Sequence, residues 1–202
     1  MKDLAYEIYL LSTFKVHLFF TKRFILMTDT ILFKESQRFK QILLWVLLIS
    51  IFVFVSIPAI YGLIKQLFWG EPFGNRPMSN EGLIVVTTVS VLIPFFIIIL
   101  FGIMKLETVI KSDGIYVRFF PFHTKYKYFS LAELNKCYVR KYSAVGEYGG
   151  WGMKGWGNNK SLSVSGDQGI QLEIKEGKKL LIGTHDSDEV SKVLLQLGCW
   201  KE

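Results

Sequence analysis

The stretch ILLWVLLISIFVFVSIPAIYGLI, residues Ile42–Ile64, decides the fold of this chain, and a second run, LIVVTTVSVLIPFFIIILFGIM at Leu83–Met104, has the same character. Neither run contains Asp, Glu, Lys or Arg. A helix needs about 20 residues to cross roughly 30 Å of hydrocarbon, and both runs exceed that length. Buried helices of soluble domains normally carry an apolar stripe rather than an apolar surface on every side. The two runs therefore predict two transmembrane helices.

The two runs divide the 202-residue chain into five regions. Only the region after the second run is long enough to enclose a hydrophobic core of its own. We expect an N-terminal segment at 1–41, helices at 42–64 and 83–104, a connecting loop at 65–82, and one domain at 105–202.

Basic residues flank the two runs more densely than they occupy the connection between them. Residues 1–41 carry seven Lys or Arg against four Asp or Glu, whereas residues 65–82 carry two of each. Residues 105–202 carry fifteen against eleven. By the positive-inside rule, both termini lie in the cytoplasm and the connecting loop lies outside. The net charge of +7 then requires no nucleic acid partner.

Residues 1–26 fit neither a spanning helix nor a cleaved signal. Glu7, Lys15 and His17 interrupt their apolar spacing, and no small-residue cleavage site follows an apolar core. Two hypotheses stay open: this segment forms an interfacial helix, or translation begins at Met27.

The proposed helices carry few features beyond their apolar surface. Trp45 and Trp69 lie near the two ends of the first run, where amphipathic rings prefer the membrane interface, so we interpret them as interface anchors. Neither run has the ionisable residues that mark an ion or proton path, which argues against a channel or transporter. Thr87, Thr88 and Ser90 are candidates for hydrogen bonds between the helices.

After Met104 the pattern changes to short alternating segments separated by turns. Asp113-Gly114 between two such segments predicts a hairpin. The whole region predicts about seven strands in an antiparallel meander. Ser130 to Glu133 predicts one helical turn, and an amphipathic helix capped at Asp186 and stopped by Gly198 ends the chain.

Four segments of the chain resemble a known family at the level of individual residues: FKESQRF at 33–39, GIYVRFFPF at 114–122, EYGGWG at 147–152 and LIGT at 181–184. They are similar to an uncharacterised family of small bacterial membrane proteins with two helices and a pleckstrin-homology-like (PH-like) domain. The resemblance implies an α+β membrane protein, in which a two-helix transmembrane hairpin precedes a PH-like antiparallel β-sandwich or partly open barrel with a C-terminal helix. It also implies the bacterial cytoplasmic (inner) membrane, and it brings no catalytic residue, substrate or partner.

The segment EYGGWGMKGWG at 147–157 is the densest unusual feature. Gly150, Gly152 and Gly155 match G-x-G-x-x-G, but a strand-like piece follows instead of a phosphate-binding helix, which argues against nucleotide binding. One alternative is structural: Trp151 fills the sandwich while the glycines let a strand bend. The other is a loop that contacts a protein or the membrane, formed by Tyr148, Gly149, Gly150, Trp151, Gly152, Lys154 and Trp156.

No catalytic, cofactor or metal site is predicted. His17, His123 and His185 lack companions at ligand spacing, and no Ser/His/Asp arrangement emerges from the order of residues. Cys137 and Cys199 are interpreted as packing residues of a reducing compartment.

These observations together favour a membrane-anchored, non-catalytic module for binding or scaffolding. Its expected partners are the lipid bilayer and a membrane or cytoplasmic protein, with anionic lipid as a further candidate through exposed lysines such as Lys178 and Lys179. Two alternatives stay open: an accessory subunit of a membrane transport or envelope complex, and an enzyme whose site the sequence does not reveal.

Overall fold

The computed structural model describes residues 30–175 and 177–199, so the hypotheses on residues 1–26 lie outside the described part. The helices are α1 (Ile42–Phe68), α2 (Asn80–Ile103), α3 (Ala144–Tyr148) and α4 (Ser187–Gln196), with a 3₁₀ turn at Leu131–Glu133. The strands are β1 (Ile31–Arg38), β2 (Lys105–Lys111), β3 (Gly114–Phe120), β4 (Lys127–Ser130), β5 (Leu134–Lys141), β6 (Gly152–Trp156), β7 (Asn159–Ser163), β8 (Gln168–Ile174) and β9 (Lys179–Gly183).

The chain divides into two compact units. The helical unit comprises residues 38–104, and the β unit comprises the described residues before position 38 and after position 104.

The helical unit is a pair of helices that are long and apolar enough to cross a membrane. Only 6% of the most apolar window of α1 and 11% of that of α2 is buried, so neither has the coverage of a core helix. Both helices are longer than predicted. Lys65 and Gln66, which are good helix formers, continue α1 beyond the apolar run, and Ser79 caps α2 by accepting a hydrogen bond from the Gly82 amide.

Polar atoms join the two helices at mid-length. The Thr87 hydroxyl donates to the Ala59 carbonyl at 3.1 Å, and the Ser56 hydroxyl donates to the Ser90 carbonyl at 3.1 Å. The Thr88 hydroxyl donates instead to Ile84 of its own helix at 2.8 Å. Of the three predicted residues, Thr87 therefore bonds across the pair through its side chain, and Ser90 does so only through its carbonyl.

In the β unit, one sheet contains the strand that precedes the helices. This four-stranded sheet A has the order β1-β2-β3-β4. The Ser112-Asp113 turn joins β2 to β3 with Lys111 opposite Gly114, which confirms the predicted hairpin. Strand β1 was not predicted, although its residues alternate between exposed and buried positions.

The five-stranded sheet B has the order β5-β8-β9-β7-β6. Strand β9 pairs antiparallel with β8 but parallel with β7, so the predicted antiparallel meander is wrong at this point. The tight turn after β8 places β9 directly beside it, and β7 must then pair with the far edge of β9. Strand β6 was expected only in the alternative in which glycines let a strand bend, because Gly152 and Gly155 within it have low strand propensity.

Helix α4 ends the described chain and packs against β5 and β8. Val190, Val193 and Leu194 are buried at helical spacing, and Gly198 adopts a φ of 63° after the helix, as predicted. The predicted side-chain cap by Asp186 is absent; its backbone amide donates to the Thr184 hydroxyl instead. In the described residues the two sheets do not close into a barrel.

Candidate functional site

The predicted contact loop is divided in the structure between a buried helix end and an exposed strand. Tyr148 ends α3 with only 7% of its surface exposed, and it packs edge-on against Tyr142 with ring centroids 6.2 Å apart. Gly149 follows with a φ of 74°, and its amide and that of Gly150 close the helix on the Val145 and Ala144 carbonyls. The first half of the segment is therefore a structural turn.

Glu147 and Arg140 hold this turn against strand β5. The Arg140 guanidinium donates to both Glu147 carboxylate oxygens, at 3.2 and 2.7 Å, and to the Tyr148 hydroxyl at 3.2 Å. The Glu147 carboxylate also accepts from the Ser143 amide at 2.9 Å. These hydrogen bonds lower the pKa of Glu147 and raise the pKa of Arg140, which keeps the pair ionised.

The second half of the segment is an edge strand with exposed aromatic rings. Strand β6 lies at the end of sheet B and pairs on one side with β7. Trp156 is 93% exposed, and Trp151, just before the strand, is 42% exposed while its indole N–H donates to the Gly166 carbonyl at 3.0 Å. An edge strand with an exposed tryptophan is a surface to which another chain can add.

The glycine pattern of this segment does not form a phosphate loop. Gly152 and Gly155 lie within strand β6, and strand β7 follows. A phosphate loop requires a helix whose first amides point at the anion.

A buried carboxylate joins β1 to the loop after β9. Glu35 accepts from the Thr184 hydroxyl at 2.7 Å, from the His185 amide at 2.9 Å and from the Gln37 side chain at 2.8 Å. Gln37 also donates to the Gly183 carbonyl at 2.8 Å. We call Glu35, Gln37 and Thr184 the Glu35 anchor, because its hydrogen bonds connect residues about 150 positions apart in the chain.

The Glu35 anchor lies beside a serine and a histidine whose pairing was not predicted. Ser165 Oγ and His185 Nε2 lie 2.7 Å apart, and His185 Nδ1 lies 3.9 Å from the Glu35 carboxylate. The second distance is too long for the hydrogen bond by which a carboxylate orients a catalytic imidazole. The carboxylate is committed to the Gln37 side chain, the Thr184 hydroxyl and the His185 amide, so its geometry serves stability.

Residues of both sheets line a cleft of about 520 Å³ in the β unit. Its floor is apolar, with Phe129, Leu162 and Leu180 among the lining residues. Among the described lining residues none is Asp or Glu, whereas five are lysines. We call this the lysine cleft; its lysines are Lys127, Lys154, Lys160, Lys178 and Lys179.

Strand register shows which lysines share the inward faces of the sheets. Lys127 is opposite Val117, which is fully buried, and Lys160 is opposite Leu180, which is 8% exposed. Directly paired residues point to the same side of a sheet, so Lys127 and Lys160 share the faces of buried apolar residues. Lys179 differs from these two lysines in that it forms an ion pair with Glu173 at 3.2 Å.

His123 also lines the lysine cleft. Its Nδ1 atom is shielded from solvent and has no hydrogen-bond partner among the described residues. Burial, followed by the positive charge of Lys127, lowers the pKa of His123, so the ring is neutral at pH 7.

The two cysteines lie closer together than their sequence separation indicates. Cys137 is fully buried, and its hydrogen bond with the Cys199 side chain, followed by burial, raises its pKa. Neither cysteine forms a disulfide within the described residues. In residues 30–175 and 177–199, no three His, Cys, Asp or Glu side chains gather as metal ligands would.

The fold therefore defines an α+β protein in which two apolar helices are inserted between the first and second strands of one β unit. Residues 26–198 match DUF6141, a family of unknown function, and the chain belongs to that family. No protein of curated function matches the chain.

Proposed function

We propose that this protein is a membrane-anchored binding or scaffolding module without catalytic activity. Its two apolar helices cross the membrane as a hairpin, and its β unit, a PH-like domain, binds a partner at the membrane surface. The proposal follows the observed order of two sheets and a C-terminal helix, together with the segments that resemble a PH-like family.

One observation carries the hairpin: β1 precedes the first helix, β2 follows the second, and both strands belong to sheet A. Paired strands must lie in one compartment, so the chain crosses the membrane twice and returns to the side from which it started. The excess of Lys and Arg in both flanks supports a cytoplasmic location of both termini, with the hairpin in the cytoplasmic membrane.

Accessibility of single cysteines tests this topology. In a chain with Cys137→Ala and Cys199→Ala, a membrane-impermeant maleimide should label Arg76→Cys in intact cells. It should label Lys34→Cys and Lys141→Cys only after lysis, since these exposed positions belong to β1 and β5. If one of Lys34→Cys and Lys141→Cys were labelled in intact cells and the other only after lysis, the hairpin would be wrong.

The exposed end of strand β6 supports the binding part of the proposal. Trp156 exposes nearly its whole indole on an edge strand, where truncation leaves the fold intact but removes a large contact area. A crosslinking group at position 154 should form a crosslink to a partner in cells, and we expect Trp156→Ala to abolish that crosslink. The matched control is Leu195→Ala, which truncates an exposed apolar side chain on α4. Equal crosslinking in both variants would show that β6 is not the contact surface.

This proposal differs in its expected results from the two alternatives. An accessory subunit of a transport or envelope complex would copurify through α1 and α2, and Trp156→Ala would leave that copurification unchanged. An enzyme would need a cleft in which polar groups converge on a reacting atom.

A further inference from the structure

The lysine cleft concentrates positive charge without a described carboxylate in its wall. The five lysine side chains are exposed at the cleft, and an anion bound between their ammonium groups would lower the positive potential there. Sheet A contributes Lys127, and sheet B contributes Lys154 and Lys160, so the charges converge from separate elements rather than from one turn. This convergence is a property of the tertiary structure, because Lys127 is distant in sequence from Lys154 and Lys160.

The geometry points to a phosphate-bearing anion as the ligand of the lysine cleft. A phosphate group has several oxygens, each able to accept from an ammonium group, whereas a single carboxylate offers two. The cleft volume of about 520 Å³ exceeds that of a bare phosphate, and the apolar floor at Phe129 and Leu162 suits an attached organic backbone. This inference rests on the proposed function, since it assigns a ligand to the binding module.

The phosphate can belong to an anionic phospholipid or to a soluble phosphate ester. The two sources are separated by experiment.

The test uses the full chain and two probes, read by hydrogen exchange of the segments 123–129 and 153–162. In one arm, glycerol 3-phosphate is added to the detergent-solubilised protein against sodium chloride of equal ionic strength. In the other, phosphatidylcholine bilayers with and without phosphatidylglycerol are compared. Protection by glycerol 3-phosphate assigns a soluble ester, and protection only by phosphatidylglycerol assigns a lipid headgroup; both results support a phosphate ligand.

Matched variants locate the effect. Lys127→Gln with Lys160→Gln removes two positive charges from the cleft, and we expect roughly tenfold weaker apparent binding or more. Lys141→Gln with Lys192→Gln removes the same charge from exposed positions elsewhere in the β unit and should bind as the unaltered chain does. Absence of protection by both probes in the unaltered chain overturns the inference, as does equal binding by the two double variants.

The two proposals fail separately. If phosphate does not bind but both flanks lie on one side of the membrane, the ligand assignment is wrong and the proposal of an anchored module stands. If glycerol 3-phosphate binds but the flanks lie on opposite sides of the membrane, the hairpin proposal is wrong and the ligand assignment stands.

Discussion

Glu35 shows how much of this protein depends on single residues whose partners are distant in sequence. Its side chain is 9% exposed and accepts three hydrogen bonds, two of them from the loop after β9. A carboxylate in this environment is stable because donors replace the water it has lost. The hydrogen bonds of Glu35 therefore connect β1 to the loop after β9.

Replacing Glu35 with alanine should destabilise the β unit by about 3 kcal/mol, because the Thr184 hydroxyl and the His185 amide lose a charged acceptor. The measurement is the thermal unfolding of the detergent-solubilised protein. Glu133→Ala, which removes an equal charge from an exposed position, should change stability by about 0.5 kcal/mol or less. Equal effects of the two substitutions would show that the anchor contributes nothing specific.

At the scale of the element, the β6–β7 hairpin explains the glycines that attracted attention in the sequence. Gly155 has a φ of 96° directly opposite Lys160, and a Cβ there would overlap the Asn159 carbonyl oxygen. Glycine at this position permits the close approach of two backbones. At Gly155, one of the three glycines that resembled a nucleotide loop, strand pairing thus requires glycine.

Gly155→Ala should therefore disrupt the β6–β7 hairpin. We expect a cost above about 2 kcal/mol, since both the φ angle and the neighbouring backbone oppose a side chain. Gly157→Ala is the comparison, because Gly157 also has a positive φ, 56°, but open space around its Cβ position, and should cost about 1 kcal/mol. Hydrogen exchange of the backbone amides of residues 152–163 measures the effect of both substitutions. Comparable exchange in the two variants would mean that the contact with Asn159 is unimportant.

The elements also differ in how far local sequence predicts them. The apolar helices, the Asp113-Gly114 hairpin and the final helix follow from neighbouring residues, and the structure contains all of them. Strand β6 has two glycines in five residues, so local propensity opposes it and only pairing with β7 stabilises it. The parallel position of β7 beside β9 likewise depends on strands joined by longer connections.

At the scale of the whole molecule, the β unit is interrupted by the two helices. Residues 30–37 precede the helical unit, yet Phe33, Glu35 and Gln37 are buried in the β unit. A fragment that begins at residue 105 lacks this strand, its buried ring and the Glu35 anchor. The domain is therefore not equivalent to the C-terminal half of the chain.

Residues 105–202 alone should be markedly less stable than a fragment in which residues 30–38 are joined to them by a flexible linker. The linked fragment restores the β1 edge of sheet A and the buried Phe33. Urea unfolding of the two soluble fragments measures the difference, which we expect to exceed about 3 kcal/mol from the apolar burial and the anchor combined. The linked fragment with Glu35→Ala separates the two contributions. Identical stability of both fragments would show that β1 is dispensable.

The sequence by itself determined the two long apolar helices, the turn-rich region after them and the amphipathic helix at its end. These features depend on length, periodicity and turn residues, which act between neighbours along the chain. Only the tertiary structure decided that β1 joins sheet A across the helical unit, that Glu35 meets Thr184, and that lysines of both sheets converge on one cleft. Strand pairing and side-chain convergence act between residues distant in sequence, so no local pattern encodes them.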